Sequence, residues 1–193
     1  MGWLDEVPRA GGLYIGGLHA LYQKQDLFRA ARITHIVSVM DYEIYGADGE
    51  KFPEYRSLQL RVEDDPNENL LDRFPATNAF IHEALRDGAG GRVFVHCAMG
   101  KSRSATVVCA YLMWKFGRSP EQALRQLCEG RPVCSPNPGF LEQLDVYHHM
   151  LQCGDDSARA KVVYDTWLKE RFRGSAWEWE KRRAEKVSAA AKL

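Results

Sequence analysis

Apolar residues in this chain fall into short runs separated by Gly, Pro and charged clusters, and their spacing switches between the period of a strand and that of a helix. Leu13, Tyr14 and Ile15, set between glycine pairs, predict a short strand. Leu18, Leu21, Leu27 and Phe28 among polar neighbours predict an amphipathic helix after it. Residues 33–40 are rich in β-branched side chains and predict a strand, and residues 55–60 predict another. Between them, Gly46, Gly49 and Pro53 among acidic and aromatic residues mark a surface loop over 41–53. The polar, turn-forming stretch 61–69 precedes a helix with Phe74, Asn78, Ile81 and Leu85 on one face, which ends at the glycine-rich stretch 87–91. A strand over 92–96 then runs through a tight loop into an apolar helix. Ser119-Pro120-Glu121-Gln122 has the form of a capping box with proline at the first helical position, and predicts a helix to about Glu129. Asn137-Pro138 repeats the device ahead of Phe140, Leu141, Leu144, Tyr147 and Leu151.

Strands alternate with helices and no period suggests repeats, so the pattern predicts an α/β fold with a sheet covered by helices. After Gly154 the composition changes: residues 155–193 contain seven acidic and ten basic residues. Val162, Val163, Trp167 and Leu168 predict one helix packing back on the preceding domain. Beyond Gly174, Trp177 and Trp179 lead into a charged, alanine-rich end that reads as a linker. The expected organisation is a catalytic domain over 1–153 and a C-terminal helix and linker over 154–193.

Composition narrows the function classes. With 45% apolar and 27% charged residues in 193, the chain can bury a sizeable core. Its 26 basic and 26 acidic residues cancel, which removes any global electrostatic case for nucleic acid or an anionic membrane, so anion affinity must be local. Five cysteines, Cys97, Cys109, Cys128, Cys134 and Cys153, form no CxxC pair and no metal-like spacing. A reducing compartment, no disulfide framework and no metal site are expected. The longest apolar run, 107–114, is far short of a membrane span. Met1-Gly2 lacks the Ser or Thr at position 6 that myristoylation needs, since Glu6 stands there, and the final Ala-Lys-Leu is read as a chance likeness to a peroxisomal address.

The chemistry concentrates in Val93-Phe-Val-His-Cys-Ala-Met-Gly-Lys-Ser-Arg-Ser104. A loop that feeds a helix N-terminus presents free N–H groups and partial positive charge, an anion site. Cys97 supplies the one strong nucleophile there, and the loop amides of Ala98, Met99, Gly100, Lys101, Ser102 and Arg103, the helix terminus and the Arg103 guanidinium all favour its thiolate. The planar guanidinium can hold two phosphoryl oxygens, and Gly100 lets successive N–H groups converge. Displacing an alkoxide or phenoxide from phosphorus calls for a general acid, for which Glu63, Asp64 and Asp65 are the candidates. A nucleotide P-loop is excluded, because Val95 stands where its first glycine belongs.

These residues resemble a known family. His96-Cys97-x5-Arg103-Ser104 is similar to the signature of the cysteine-based protein tyrosine phosphatases, and residues 110–113 after it look like the small dual-specificity branch. Asp64 followed by Asn69-Leu70 and Phe74, Gly12-Leu-Tyr-Ile-Gly16, and Asn137-x-x-Phe140 with Gln143-Leu144 also resemble that branch, so the likeness covers roughly residues 10–152. It implies a central mixed sheet flanked by helices and a metal-independent hydrolysis of phosphotyrosine and phosphoserine/threonine through a cysteinyl-phosphate. By the same likeness Cys97 is the nucleophile, Asp64 the acid and base, with Asp65 its competitor, and Arg103 the phosphate clamp. Ser104 would ease departure of the thiolate and His96 would help to hold its ionisation. Within the branch the chain looks most like the phosphatase domain of fungal Yvh-type proteins. That implies phosphoprotein substrates, a part in large ribosomal subunit maturation with a pre-60S particle as partner, and a cytoplasmic and nuclear location. It also implies a zinc-binding C-terminal domain that is absent here, since no cysteine follows Cys153. Lys101 resembles the loop lysine of some phosphoinositide phosphatases, although Ala98 lacks their second lysine, which keeps lipid phosphate as the alternative substrate. A non-catalytic assembly role is the other alternative. Cys109 reads as core, Asn137 as a helix cap, and a Cys97–Cys134 redox pair stays open.

Overall fold

The middle of the sheet is a strand buried on both faces. Val93, Phe94, Val95, His96 and Cys97 are all inaccessible, as a parallel strand between two helical layers must be. In this computed structural model, which describes residues 3–45, 52–86 and 90–190, the elements run β1 (Leu4–Glu6), β2 (Leu13–Gly17), α1 (Leu18–Gln23), α2 (Gln25–Ala30), β3 (His35–Val39), β4 (Arg56–Leu60), a 3-10 turn (Leu71–Arg73), α3 (Phe74–Leu85), β5 (Val93–Cys97), α4 (Arg103–Phe116), α5 (Pro120–Gly130), α6 (Pro138–Gln152), α7 (Ser157–Glu170) and α8 (Ala176–Ala190). The loop residues 46–51, the helix-ending residues 87–89 and both termini (1–2 and 191–193), for which expectations were drawn from sequence, lie outside the described residues.

The sheet order is β1-β2-β5-β3-β4, with β1 antiparallel to β2 and the other pairings parallel, which makes the mixed sheet. Register sets His96 beside Gly16 of β2 and Ser38 of β3. Helix α4 packs against β2, β3 and β5 and is covered in turn by α3, α5 and α6. Its residues 104–113 are all buried, which explains why this helix is apolar on every side. Cys109 is among them; burial pushes its thiol well above the usual value, so it is core. On α2, Phe28 meets Phe94 edge-on at 4.8 Å between ring centroids.

Four local features depart from the sequence pattern. The single helix expected over Leu18 to Phe28 is two short ones, broken at Lys24 (φ −131°, ψ 42°), and Leu27 faces solvent. Strand β1 had not been expected, being only three residues long. On α7, Val162 and Leu168 point outward, while Tyr164 and Trp167 pack on the core. The stretch read as a linker forms α8 and packs on α6: Trp179 is buried, Arg182 and Lys186 both bond Glu142, and Trp177 is exposed. The predicted capping box at Ser119 and Gln122 and the cap at Asn137 are formed.

Candidate active site

Between β5 and α4 each main-chain carbonyl from Ala98 to Ser102 is held by a donor outside the loop's concave side. Leu18 N–H donates to Ala98 (3.1 Å), Arg131 Nη2 to Met99 (3.1 Å) and Arg131 Nε to Gly100 (2.8 Å). Ser135 N–H donates to Lys101 (2.8 Å), and the Thr106 N–H and hydroxyl donate to Ser102 (2.9 and 2.8 Å). A planar trans peptide carries its C=O and the following N–H on opposite sides, so these bonds turn the N–H groups of Met99, Gly100, Lys101, Ser102 and Arg103 inward. Gly100 N–H donates to Cys97 Sγ at 3.3 Å, in keeping with that orientation. Gly100 has φ +68°, and a Cβ there would lie 2.4 Å from the carbonyl carbon and oxygen of Gly16. The loop can close on β2 only with glycine at this position.

The Cys97 sulfur lies at the floor of this cradle, 1% exposed and 3.3 Å from Ser104 Oγ. Arg103, also buried, donates from Nη1 to the Val62 carbonyl (3.0 Å) and reaches Asp41 Oδ1 at 3.4 Å. Its Nε finds no acceptor among the described residues and is left for an incoming oxygen. His96 shares a 2.8 Å hydrogen bond with Ser38 across the β3–β5 pair. Burial pulls its pKa down to about 4, with the Arg103 charge adding to the effect, so the ring is neutral at pH 7. The help expected from His96 in holding the thiolate therefore cannot come from an imidazolium charge. Met99 and Lys101 stand exposed at the lip.

Of the acidic candidates, Asp64 alone reaches the cradle: Oδ1 accepts from Ser102 Oγ (2.6 Å) and Asn137 Nδ2 (3.0 Å). Asp65 instead accepts from the backbone and side-chain N–H of Asn67 (2.7 and 2.8 Å), an Asx turn that closes the stretch 61–71, the candidate acid loop, on itself. Gln143 anchors the far end of that loop, its Oε1 accepting from Leu70 and Leu71 N–H and its Nε2 donating to Glu68 O, all at 2.8 Å. Pro66 O lies 1.9 Å from where a Cβ on Gly139 would stand, so the loop rests directly on α6. Asn137, read as a helix cap, both caps α6 through Phe140 N–H and touches the carboxylate.

Arg131 is the residue of the site that sequence reasoning missed. It is buried, paired with Asp5 of β1, and donates to two loop carbonyls. The only available signal was an arginine beside Pro132 after a capped helix, which does not point to a loop thirty residues back. Cys97 and Cys134 are free thiols; Cys134 is pushed up to about 12, chiefly by burial, and its Sγ lies 3.9 Å from Gly100 O. Among the described residues no group of three His, Cys, Asp or Glu side chains is arranged to hold a metal ion.

With this geometry in hand, comparison with known proteins places the chain. Residues 13–150 match the family described as dual specificity phosphatase, catalytic domain. The chain is 40% identical over 153 residues to dual specificity protein phosphatase 1 of Arabidopsis thaliana, an alignment covering 78% of this chain and 74% of that one. It is 32% identical over 168 residues to tyrosine-protein phosphatase YVH1 of Saccharomyces cerevisiae, covering 76% of this chain and 44% of the relative's length. A crystal structure of the Yvh1 phosphatase domain from Chaetomium thermophilum superposes with TM-score 0.69 at 34% identity, covering 80% of this chain and 99% of that one. Family members work through a cysteine and need no metal. By family match, fold and sequence likeness, the chain belongs to the dual-specificity protein phosphatases.

Proposed function

We propose that this chain hydrolyses phosphotyrosine and phosphoserine/threonine in protein substrates, with Cys97 as nucleophile, Arg103 and the loop amides as the phosphate cradle, and Asp64 as acid and base. The observation that carries the reading is the row of loop carbonyls from Ala98 to Ser102 each held by a donor, with Gly100 N–H on the Cys97 sulfur and Asp64 bonded to the rim of the same cradle. In the first step the thiolate forms an S–P bond as the P–O bond to the leaving group breaks. Asp64 gives its proton to the departing oxygen. In the second step water attacks phosphorus and passes a proton to the Asp64 carboxylate. The S–P bond breaks, inorganic phosphate leaves, and the Ser104 hydroxyl, 3.3 Å from the sulfur, donates to the returning thiolate. Charge on the transferring group is met by Arg103 and the amides, donors already aimed before substrate arrives.

Cys97→Ser is expected to abolish turnover of an aryl phosphate while binding of vanadate or tungstate persists. Turnover within twofold of the wild type would overturn the assignment. Phosphopeptides and phosphoinositides tested side by side decide the substrate class. Exposed Lys101 is the feature that favours the lipid alternative.

A second reading is favoured by the likeness to the Yvh-type proteins: the chain also serves, as part of a longer protein, in assembly of a pre-60S ribosomal particle in cytoplasm and nucleus. It need not exclude the first. Growth restored by Cys97→Ser in cells lacking the protein supports an assembly role independent of catalysis, and failure to restore it ties the cellular role to the reaction.

A further inference from the structure

The stretch that matches the catalytic family ends at residue 150, yet residues beyond it bond directly to the acid loop. Asn67 is the point of contact. Its Oδ1 accepts from Gly174 N–H (3.0 Å) and from Trp179 Nε1 (3.1 Å), and its Nδ2 donates to Gly174 O (2.9 Å) as well as to Asp65 (2.8 Å). Its main-chain carbonyl accepts from Arg171 Nη1 at 3.2 Å. Both donors and both acceptor sites of one amide are thereby used, three of the four by the C-terminal segment. The donor from α8 is fixed in its turn, since Trp179 is buried and packs edge-on against Phe172 at 4.9 Å. A second tie lies two residues along, where Tyr164 of α7 accepts from Asn69 Nδ2 (3.0 Å) and donates to Asp72 (3.1 Å).

Asp64 itself is exposed and, among the described residues, held through only one of its oxygens, by Ser102 and Asn137. Gln143 fixes residues 68, 70 and 71 but none of the residues around Asp64. The Asx turn at Asp65 to Asn67 links the two ends, and Asn67 is the residue the C-terminal segment grips. We infer that residues 171–179 clamp the acid loop through Asn67 and thereby keep Asp64 over the cradle, making Asn67 and Trp179 positioning residues for proton transfer to the leaving group.

The inference rests on the assignment of Asp64 as the acid, and the test separates the two. The readout is kcat/KM for phenyl phosphate, a poor leaving group that needs the proton, divided by kcat/KM for an activated nitrophenyl phosphate that needs it less. Asp64→Asn should lower this ratio strongly. Asn67→Ala should lower it about tenfold, a fraction of the roughly hundred- to ten-thousandfold supplied by a general acid. Trp179→Phe keeps the ring and loses one donor, and should lower the ratio about threefold in a chain that still folds. In the Asp64→Asn background neither change should lower it further, because nothing is left to position. Equal losses on both substrates, no loss, or losses that persist without the Asp64 carboxylate would overturn the clamp. A ratio unmoved by Asp64→Asn would overturn the acid assignment, and the clamp with it. Should Asn67→Ala fail to fold, the Trp179→Phe arm decides alone.

Discussion

Replacing Arg131 by methionine keeps most of the side-chain volume and removes the ion pair with Asp5 together with the donors to Met99 O and Gly100 O. Arg131 is 3% exposed and the Asp5 side chain 16%, so the carboxylate left behind regains little water. Breaking a buried ion pair from one side costs about 3–5 kcal/mol, and each orphaned carbonyl costs about 1–3 kcal/mol. These terms overlap, because the loop can relax toward solvent, and a loss of about 4 kcal/mol is expected from a total stability of roughly 5–15 kcal/mol. Urea unfolding measures it. Function should separate from stability in the double variant Asp5→Leu/Arg131→Met. Replacing both charges by apolar groups is expected to recover about 2 kcal/mol or more. It returns no donor to the two carbonyls, so their peptides are free to turn, and vanadate affinity should stay about tenfold or more below wild type. A loss under about 1 kcal/mol in the single variant, or wild-type vanadate affinity in the double, would refute the claim that Arg131 sets the orientation of the loop.

Gly100→Ala combines a positive φ with a Cβ 2.4 Å from the Gly16 carbonyl, and should abolish vanadate binding while costing about 2–4 kcal/mol in urea unfolding; a fully active alanine variant would contradict the close approach. Gly139→Ala should push Pro66 and the acid loop off α6, lowering turnover of phenyl phosphate about tenfold and leaving vanadate affinity unchanged, whereas an equal effect on both would show that the push does not stop at the acid loop. For His96 the folded pKa of about 4 lies below the unfolded value of about 6.5. Between those pH values the unfolded chain takes up a proton that the folded chain refuses, so stability falls as pH falls through that window and the loss is complete below about 4. His96→Gln lacks this dependence; the stability difference between wild type and variant should shift by up to about 3 kcal/mol against the wild type from pH 7 to pH 4, and parallel pH curves would show that the imidazole is not kept neutral.

Most of the candidate site was legible because it is local. Cys97, Gly100, Arg103 and Ser104 lie within one strand, loop and helix start, and hydrophobic pattern identifies all three. Asp64 was reached through the family likeness of its spacing to Asn69 and Leu70, which left Asp65 as a competitor; in the fold Asp64 bonds Ser102 whereas Asp65 bonds Asn67. The residues that hold the loop in shape were not legible, because Leu18 approaches from α1 and Arg131 and Ser135 from the α5–α6 connection, all far from the loop in sequence, and they bond main-chain carbonyls, which any donor can do. Helix α8 was hidden for a different reason. It is fixed by one indole and two ion pairs to Glu142 rather than by an apolar stripe, so its sequence carries the charge of a linker. The break at Lys24 has neither Gly nor Pro to announce it.

The two halves of the site are held by bonds of different kinds, and this bears on how the reaction can be modulated. The phosphate cradle rests on main-chain carbonyls, a buried ion pair and a helix with residues 104–113 all buried, so distorting it leaves polar groups dry and unpartnered. The acid loop hangs on side-chain amides and hydroxyls at a half-wet surface, where each hydrogen bond is worth only about 0.5–1.5 kcal/mol because water can replace it. A perturbation of a few kcal/mol on α7 or α8 can therefore release Asp64 while the anion site stays assembled. With Asp64 as the acid, as proposed, opening the loop would remove the proton donor that a poor leaving group requires and spare much of the turnover of an activated ester. Control exerted through the C-terminal helices would thus act on which substrates are turned over before it acted on whether phosphate binds.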